Sequence, residues 1–107
     1  MKPQLDEKYY LFKELDKAGN NSQRAMAKEM GISLGKINFI LKALIAKGWV
    51  KMENFAHSEN KISYRYILTP EGIKEKVRVT KAFLIRKEEE YEKIRQEIEQ
   101  AREEMQN

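Results

Sequence analysis

Beyond Gly72 the chain contains no further glycine or proline up to its last residue, Asn107. The segment opens on Thr69-Pro70-Glu71-Gly72. Thr69 suits a helix N-cap, Pro70 the first helical position, and Glu71 the positive end of the helix dipole. Together they predict one helix of about 36 residues, roughly 54 Å at 1.5 Å per residue. A chain of 107 residues has room for one domain with a modest core. Such a domain does not need a helix that long.

The apolar residues of this helix keep a 4-3 rhythm. Val77, Leu84, Tyr91, Ile98 and Met105 fall at a positions, and Ile73, Thr80, Lys87, Ile94 and Ala101 at d positions. Only Lys87 breaks the seam. The part before it is expected to pack on its own domain, helped by Phe83. Leu84, Tyr91, Ile94, Ile98, Ala101 and Met105 are candidate dimerisation residues for a coiled coil between two copies. Glu90 and Glu97 at g positions would face Arg95 and Arg102 at e positions of a parallel partner, whereas an antiparallel pair sets like against like. Parallel is the expectation. Each exposed pair contributes only about 0.2–1 kcal/mol, so contacts from the body through Phe83, Tyr10 or Leu11 are expected to help. The competing reading is a single solvated helix.

Charge divides the chain in the same place. Residues 1–21 are neutral; Ser22–Thr69 carry eight Lys/Arg against three Glu; Pro70–Lys87 carry six against two; and from Glu88 onward three stand against eight acidic residues. A basic body with an acidic tail fits a polyanion for the body and another partner for the tail, or simply a lysine-rich solvated surface. With no cysteine and one histidine, His57, the chain offers no disulfide, no thiolate metal site and no nucleophile–base–acid constellation. The acidic runs read as a solvated helix face, so neither metal, cofactor nor enzymatic activity is expected. No apolar run reaches the roughly 18 residues of a membrane span, and Met1-Lys2-Pro3-Gln4 does not open a signal peptide. A cytoplasmic protein without membrane association is the expectation.

In the basic body, Ser22–Trp49 reads as two short helices and a tight turn. Ser22 and Ser33 suit N-caps, while Gly31 and Gly48 suit the left-handed positions that end helices. Ala27 lets the helices approach closely. Ile32, Ile37, Ile40, Leu41 and Leu44 gather on the anchoring face of the second helix. An earlier helix over Leu5–Ala18 carries Leu5, Tyr9, Phe12 and Leu15, widened by Tyr10 and Leu11, and stops at Gly19-Asn20-Asn21. It roofs the core, or turns Tyr9 or Tyr10 toward a second protomer.

Two strand candidates follow, Trp49–Phe55 and Ile62–Leu68, joined by the polar residues 56–61. A helix-turn-helix followed by a hairpin is a winged helix. The expected architecture is thus mainly α with a small β-hairpin wing: residues 1–69 form the DNA-binding domain and 70–107 a long C-terminal dimerisation helix. In such folds the second helix enters the major groove and the hairpin tip meets the backbone or minor groove. The candidate reading face is Lys36, Asn38, Phe39 and Lys42. Asn38 can pair with adenine, and the lysines reach guanine or phosphate. Gln23, Ser33 and Gly35 would position the DNA backbone through helix ends, and Lys61 and Arg65 are the wing contacts. Gly35 costs roughly 1 kcal/mol of helix stability relative to Ala; it admits a phosphate or base edge, or is an accident of sequence. Phe39 meets a thymine methyl or sugar, or packs against the wing. His57 is a polar loop residue or a DNA contact.

The strings SQRAMAKEMGISLGKINFILKALIAKGWVKMENF and YRYILTPEGIKEK, with the charged helix behind them, resemble the MarR-type winged-helix transcriptional regulators, and within them the small branch associated with exopolysaccharide. The resemblance spans roughly Tyr9–Ile98. It implies a regulator that binds double-stranded DNA, with surface polysaccharide genes as targets; the heptad makes it a homodimer on a palindromic operator. Larger members carry an additional C-terminal helix and bind phenolic or redox effectors. This chain shows neither that helix nor a cysteine sensor, so a small-molecule effector is not carried over. The alternative from another class is a winged-helix interaction module that recruits a partner through its acidic helix.

Overall fold

A computed structural model describes residues 4–17, 22–56 and 62–107. The elements run α1 (Gln4–Leu15), α2 (Gln23–Met30), α3 (Leu34–Ala46), β1 (Val50–Ala56), β2 (Ile62–Leu68) and α4 (Pro70–Gln106). The mainly helical fold with one hairpin and a long C-terminal helix is the expected one. Helix α1 closes at Leu15, short of the expected Ala18; that residue and the Gly19-Asn20-Asn21 stop lie outside the described residues.

Local chemistry sets the helix ends. Ser22, Ser33 and Thr69 hold extended backbone and accept from the amides of Ala25, Lys36 and Gly72 respectively. Helices α2 and α3 end alike. Gly31 takes φ 68° and Gly48 φ 78°, and each gives its amide to the carbonyl three residues back while the next residue reaches back five: Ile32 to Ala27, Trp49 to Leu44. Those paired bonds satisfy carbonyls the helix leaves open and turn an apolar side chain back toward the core.

Every element before α4 supplies the core, and α4 adds the partly buried Val79 at its edge. Leu11, Phe12 and Leu15 come from α1, Met26 and Ala27 from α2, Ile37, Leu41 and Leu44 from α3, Val50 from β1 and Tyr66 from β2. Burying each large apolar side chain contributes about 1.5–3 kcal/mol. Strands β1 and β2 pair antiparallel from Val50–Leu68 out to Ala56–Ile62. Val50 and Tyr66 sit over the core, whereas Met52 and Tyr64, further along the same face, are half exposed. No helix among the described residues is long and apolar enough to cross a membrane.

Helix α4 docks on the body by a face the heptad did not single out. At its start a side chain on Gly72 would lie 1.9 Å from the Trp49 carbonyl oxygen, and the Thr69 amide donates to that same oxygen. Further on, Glu75 receives Lys8 at 2.8 Å and Arg86 donates to Asp6 at 2.9 Å. Lys76 pairs with Asp16, and Phe83 stacks on Tyr9. The part of α4 before Lys87 thus packs on its own domain, helped by Phe83, as expected, but without Ile73, Val77 and Leu84. They are 54%, 51% and 55% exposed, because residues 72, 75, 79, 83 and 86 occupy the body-facing side. The seam stays open from Ile73 to Met105. Lys87 is drawn off it toward Asp6 and Glu90.

Of the body contacts expected to assist pairing, Leu11 is corrected. Leu11 is 0% exposed and locked in the core. Tyr10 and Phe83 meet each other and Tyr9 within one chain.

Candidate nucleic-acid interface

Helix α3 is anchored by Ile37, Leu41 and Leu44, which fixes what its opposite side presents. Opposite the core run Gly35, Phe39, Lys42 and Ala46, all exposed. Phe39 is 73% exposed. It borders a groove of about 350 Å³ between α1 and α3 with Glu7, Lys8, Ile40, Lys47 and Trp49. Lys42 has no ion-pair partner among the described residues. A side chain added at Gly35 would meet nothing within 4 Å, so internal packing gives no reason for glycine there.

The flanks of this stripe are not free. On the α1 side the Lys36 ammonium lies 3.1 Å from the buried Glu7 carboxylate. Lys36 is exposed, as expected, but is also tied to the body by this pair. On the wing side Asn38 is half buried and bonded. Gln23 Nε2 donates to Asn38 Oδ1 at 3.0 Å and to the Tyr66 hydroxyl at 2.9 Å. Gln23, the first residue of α2, therefore links the helix-turn-helix to the hairpin. Ser33 lies exposed at the start of α3 with its hydroxyl accepting from the Lys36 amide.

On the wing, Arg65 stands across from Glu53 in the strand register and donates to its carboxylate at 3.4 Å. Lys51 approaches the same carboxylate. Lys61 and His57 lie outside the described residues. Sequence reasoning also missed the buried carboxylates. The Arg86 guanidinium, hydrogen-bonded to Asp6, holds that carboxyl below the usual range, aided by Lys87. Glu75 is held down first by its bond from Arg78 and then by Lys8. Its signal was present: a neutral first segment carrying four acids beside a basic stretch from Pro70 to Lys87. Part of that positive charge is answered within the chain.

Residues 11–51 match the winged helix-turn-helix DNA-binding family. The match runs from Leu11 in α1 through α2 and α3 into the start of β1. It thus takes in the winged-helix elements that hold Gly35, Phe39 and Lys42 outward, and stops before the wing tip. No curated protein matches the chain. The chain is similar to winged-helix DNA-binding domains in the segment that presents α3, and these findings support a DNA-binding regulator.

Proposed function

We propose that this protein is a homodimeric transcriptional regulator that reads a palindromic double-stranded DNA operator with α3 and braces it with the hairpin. The observation that carries the reading is the outward stripe of α3. Gly35, Phe39 and Lys42 are exposed without serving the fold, in a segment similar to winged-helix DNA-binding domains. A glycine in the first turn of a reading helix admits a phosphate or base edge closely. Lys42 supplies a cation at mid-helix, and Phe39 offers an apolar face to a thymine methyl or a sugar. Lys36 joins them by leaving Glu7. Arg65 and Lys61 are the wing's candidates for phosphate.

Homodimerisation is supported by the open seam of α4. Its apolar positions lie away from the face that holds the body, so two α4 helices can pair without undocking either domain. Glu97 opposite Arg102 and Glu90 opposite Arg95 favour the parallel arrangement, although Arg95 also bonds Glu92 and Glu99 in its own helix. A parallel two-fold puts both reading helices at one end, as a palindrome requires. The resemblance to exopolysaccharide-associated regulators makes surface polysaccharide genes the proposed targets.

Selection of bound duplexes from a random pool tests the reading. The expected result is a palindrome with half-sites about one helical turn apart, bound with an affinity that falls steeply with salt. Enrichment of nothing, with a monomer in sedimentation, would favour the interaction module instead.

A further inference from the structure

We propose that Gln23 is a positioning residue that sets which base Asn38 reads, turning Asn38 into a hydrogen-bond donor that prefers guanine. This rests on the DNA-binding reading above and deepens it. A free asparagine amide pairs with adenine by accepting from N6 and donating to N7. Asn38 is not free. Its Oδ1 accepts from Gln23 Nε2 at 3.0 Å, and the same Gln23 nitrogen donates to the Tyr66 hydroxyl at 2.9 Å. Each of the two Gln23 N–H groups has a partner, one on α3 and one on β2. Tyr66 is 7% exposed and built into the core, so the Gln23 amide is held by a rigid element.

The consequence falls on the other end of Asn38. Its Nδ2 has no hydrogen-bond partner among the described residues, and no buried side-chain nitrogen or oxygen among them lacks one. Nδ2 is therefore open to solvent beside the exposed stripe of Gly35 and Lys42. With Oδ1 turned toward Gln23, Asn38 presents N–H groups to the groove. A guanine edge offers two acceptors, N7 and O6, whereas adenine offers one acceptor and a donor that would face the outward N–H groups. The preference for guanine over adenine at that position is expected to be about tenfold.

Gln23→Glu reverses the polarity of the network. A carboxylate at position 23 only accepts, so Asn38 must turn its Nδ2 inward and its Oδ1 outward. The outward oxygen then favours a base with a donor, cytosine N4 or adenine N6. The experiment is selection from a random duplex pool with the full chain, in wild type, Gln23→Glu and Tyr66→Phe, each checked for helical content.

The expected result is a change from guanine to cytosine or adenine at one position per half-site in Gln23→Glu, with the rest of the motif retained. In Tyr66→Phe, which loosens Gln23 without changing its polarity, the guanine preference at that position should drop severalfold. A purely structural role for Gln23 would weaken all sequences alike and leave the motif unchanged, and that outcome overturns the proposal. Loss of the Gln23→Glu fold leaves Tyr66→Phe to decide, and an unaltered preference there is equally fatal. A wild-type protein that enriches no sequence overturns the DNA reading itself, and this proposal with it.

Discussion

Tyr9 and Phe83 stack face to face, with ring centroids 3.8 Å apart and 7° between their planes. The pair fastens α4 to α1, and Tyr10 closes edge-on against the same Phe83 ring. Three rings that the sequence offers for contact between protomers thus also meet within one. Phe83→Ala should destabilise the fold by about 2 kcal/mol, below the 3–5 of a fully buried phenylalanine because Phe83 is only partly buried. Urea denaturation at dilutions where the protein is monomeric measures it. A loss seen only at concentrations that support dimers would move Phe83 back to an interface.

Gly35 and Gly72 make opposite predictions for the same substitution. At Gly72 a methyl group meets the Trp49 carbonyl at 1.9 Å, so alanine must push α4 off the hairpin's base and should cost more than about 2 kcal/mol. At Gly35 it meets nothing, so alanine should stabilise α3 by about 0.5–1 kcal/mol and yet weaken DNA binding about tenfold. Thermal denaturation beside a DNA titration reads both. Tighter or unchanged DNA binding by Gly35→Ala would remove the close approach that the glycine is proposed to serve.

The docking of α1 on α4 should be acid-labile. Asp6 and Glu75 both titrate below their ordinary values, through Arg86 and Arg78 first and then Lys87 and Lys8. A folded pKa below the unfolded one contributes stability that is whole above the ordinary carboxylate range, about pH 4, and is lost as pH falls through it toward the folded value. Urea midpoints should therefore drop as pH falls below about 5. Asp6→Asn should lose about 1 kcal/mol at pH 7 and show a shallower decline in acid. Parallel declines in the two proteins would exclude Asp6 from the linkage.

What could be read from the sequence divides along physical lines. Ser22, Ser33 and Thr69 as caps, and Gly31 and Gly48 as helix ends, depend on neighbours a few residues away, and the structure has each in that role. Ile37, Leu41 and Leu44 were legible because one helical period decides them. The Gln23–Asn38–Tyr66 network was not, since three elements must fold before those side chains meet. Nor was the burial of Asp6, a charge whose partners lie some eighty residues on. For α4, periodicity supplied the spacing but not the rotation. Val77 and Val79, two residues apart, belong to the open seam and the docked side, and only the packing of Gly72 and Phe83 on the body chooses between them.

That rotation yields the sharpest test of assembly. Were Val77 part of the body's core, Val77→Asp would bury an unpaired charge and unfold the domain. At 51% exposure it should change the stability of the dilute monomer by no more than about 0.5 kcal/mol. In a paired seam reaching back to Ile73, the same aspartate would be desolvated against a second copy and should raise the dimer dissociation constant at least about tenfold. Ile98→Asp, at the far end, should act alike. Sedimentation across a concentration series separates the cases. Dissociation by Ile98→Asp alone would confine pairing to the acidic half, and dissociation by neither would leave the exposed face of α4 to some other partner. If both dissociate the dimer and both weaken operator binding while the helical signal persists, the open seam is what holds the two α3 helices side by side.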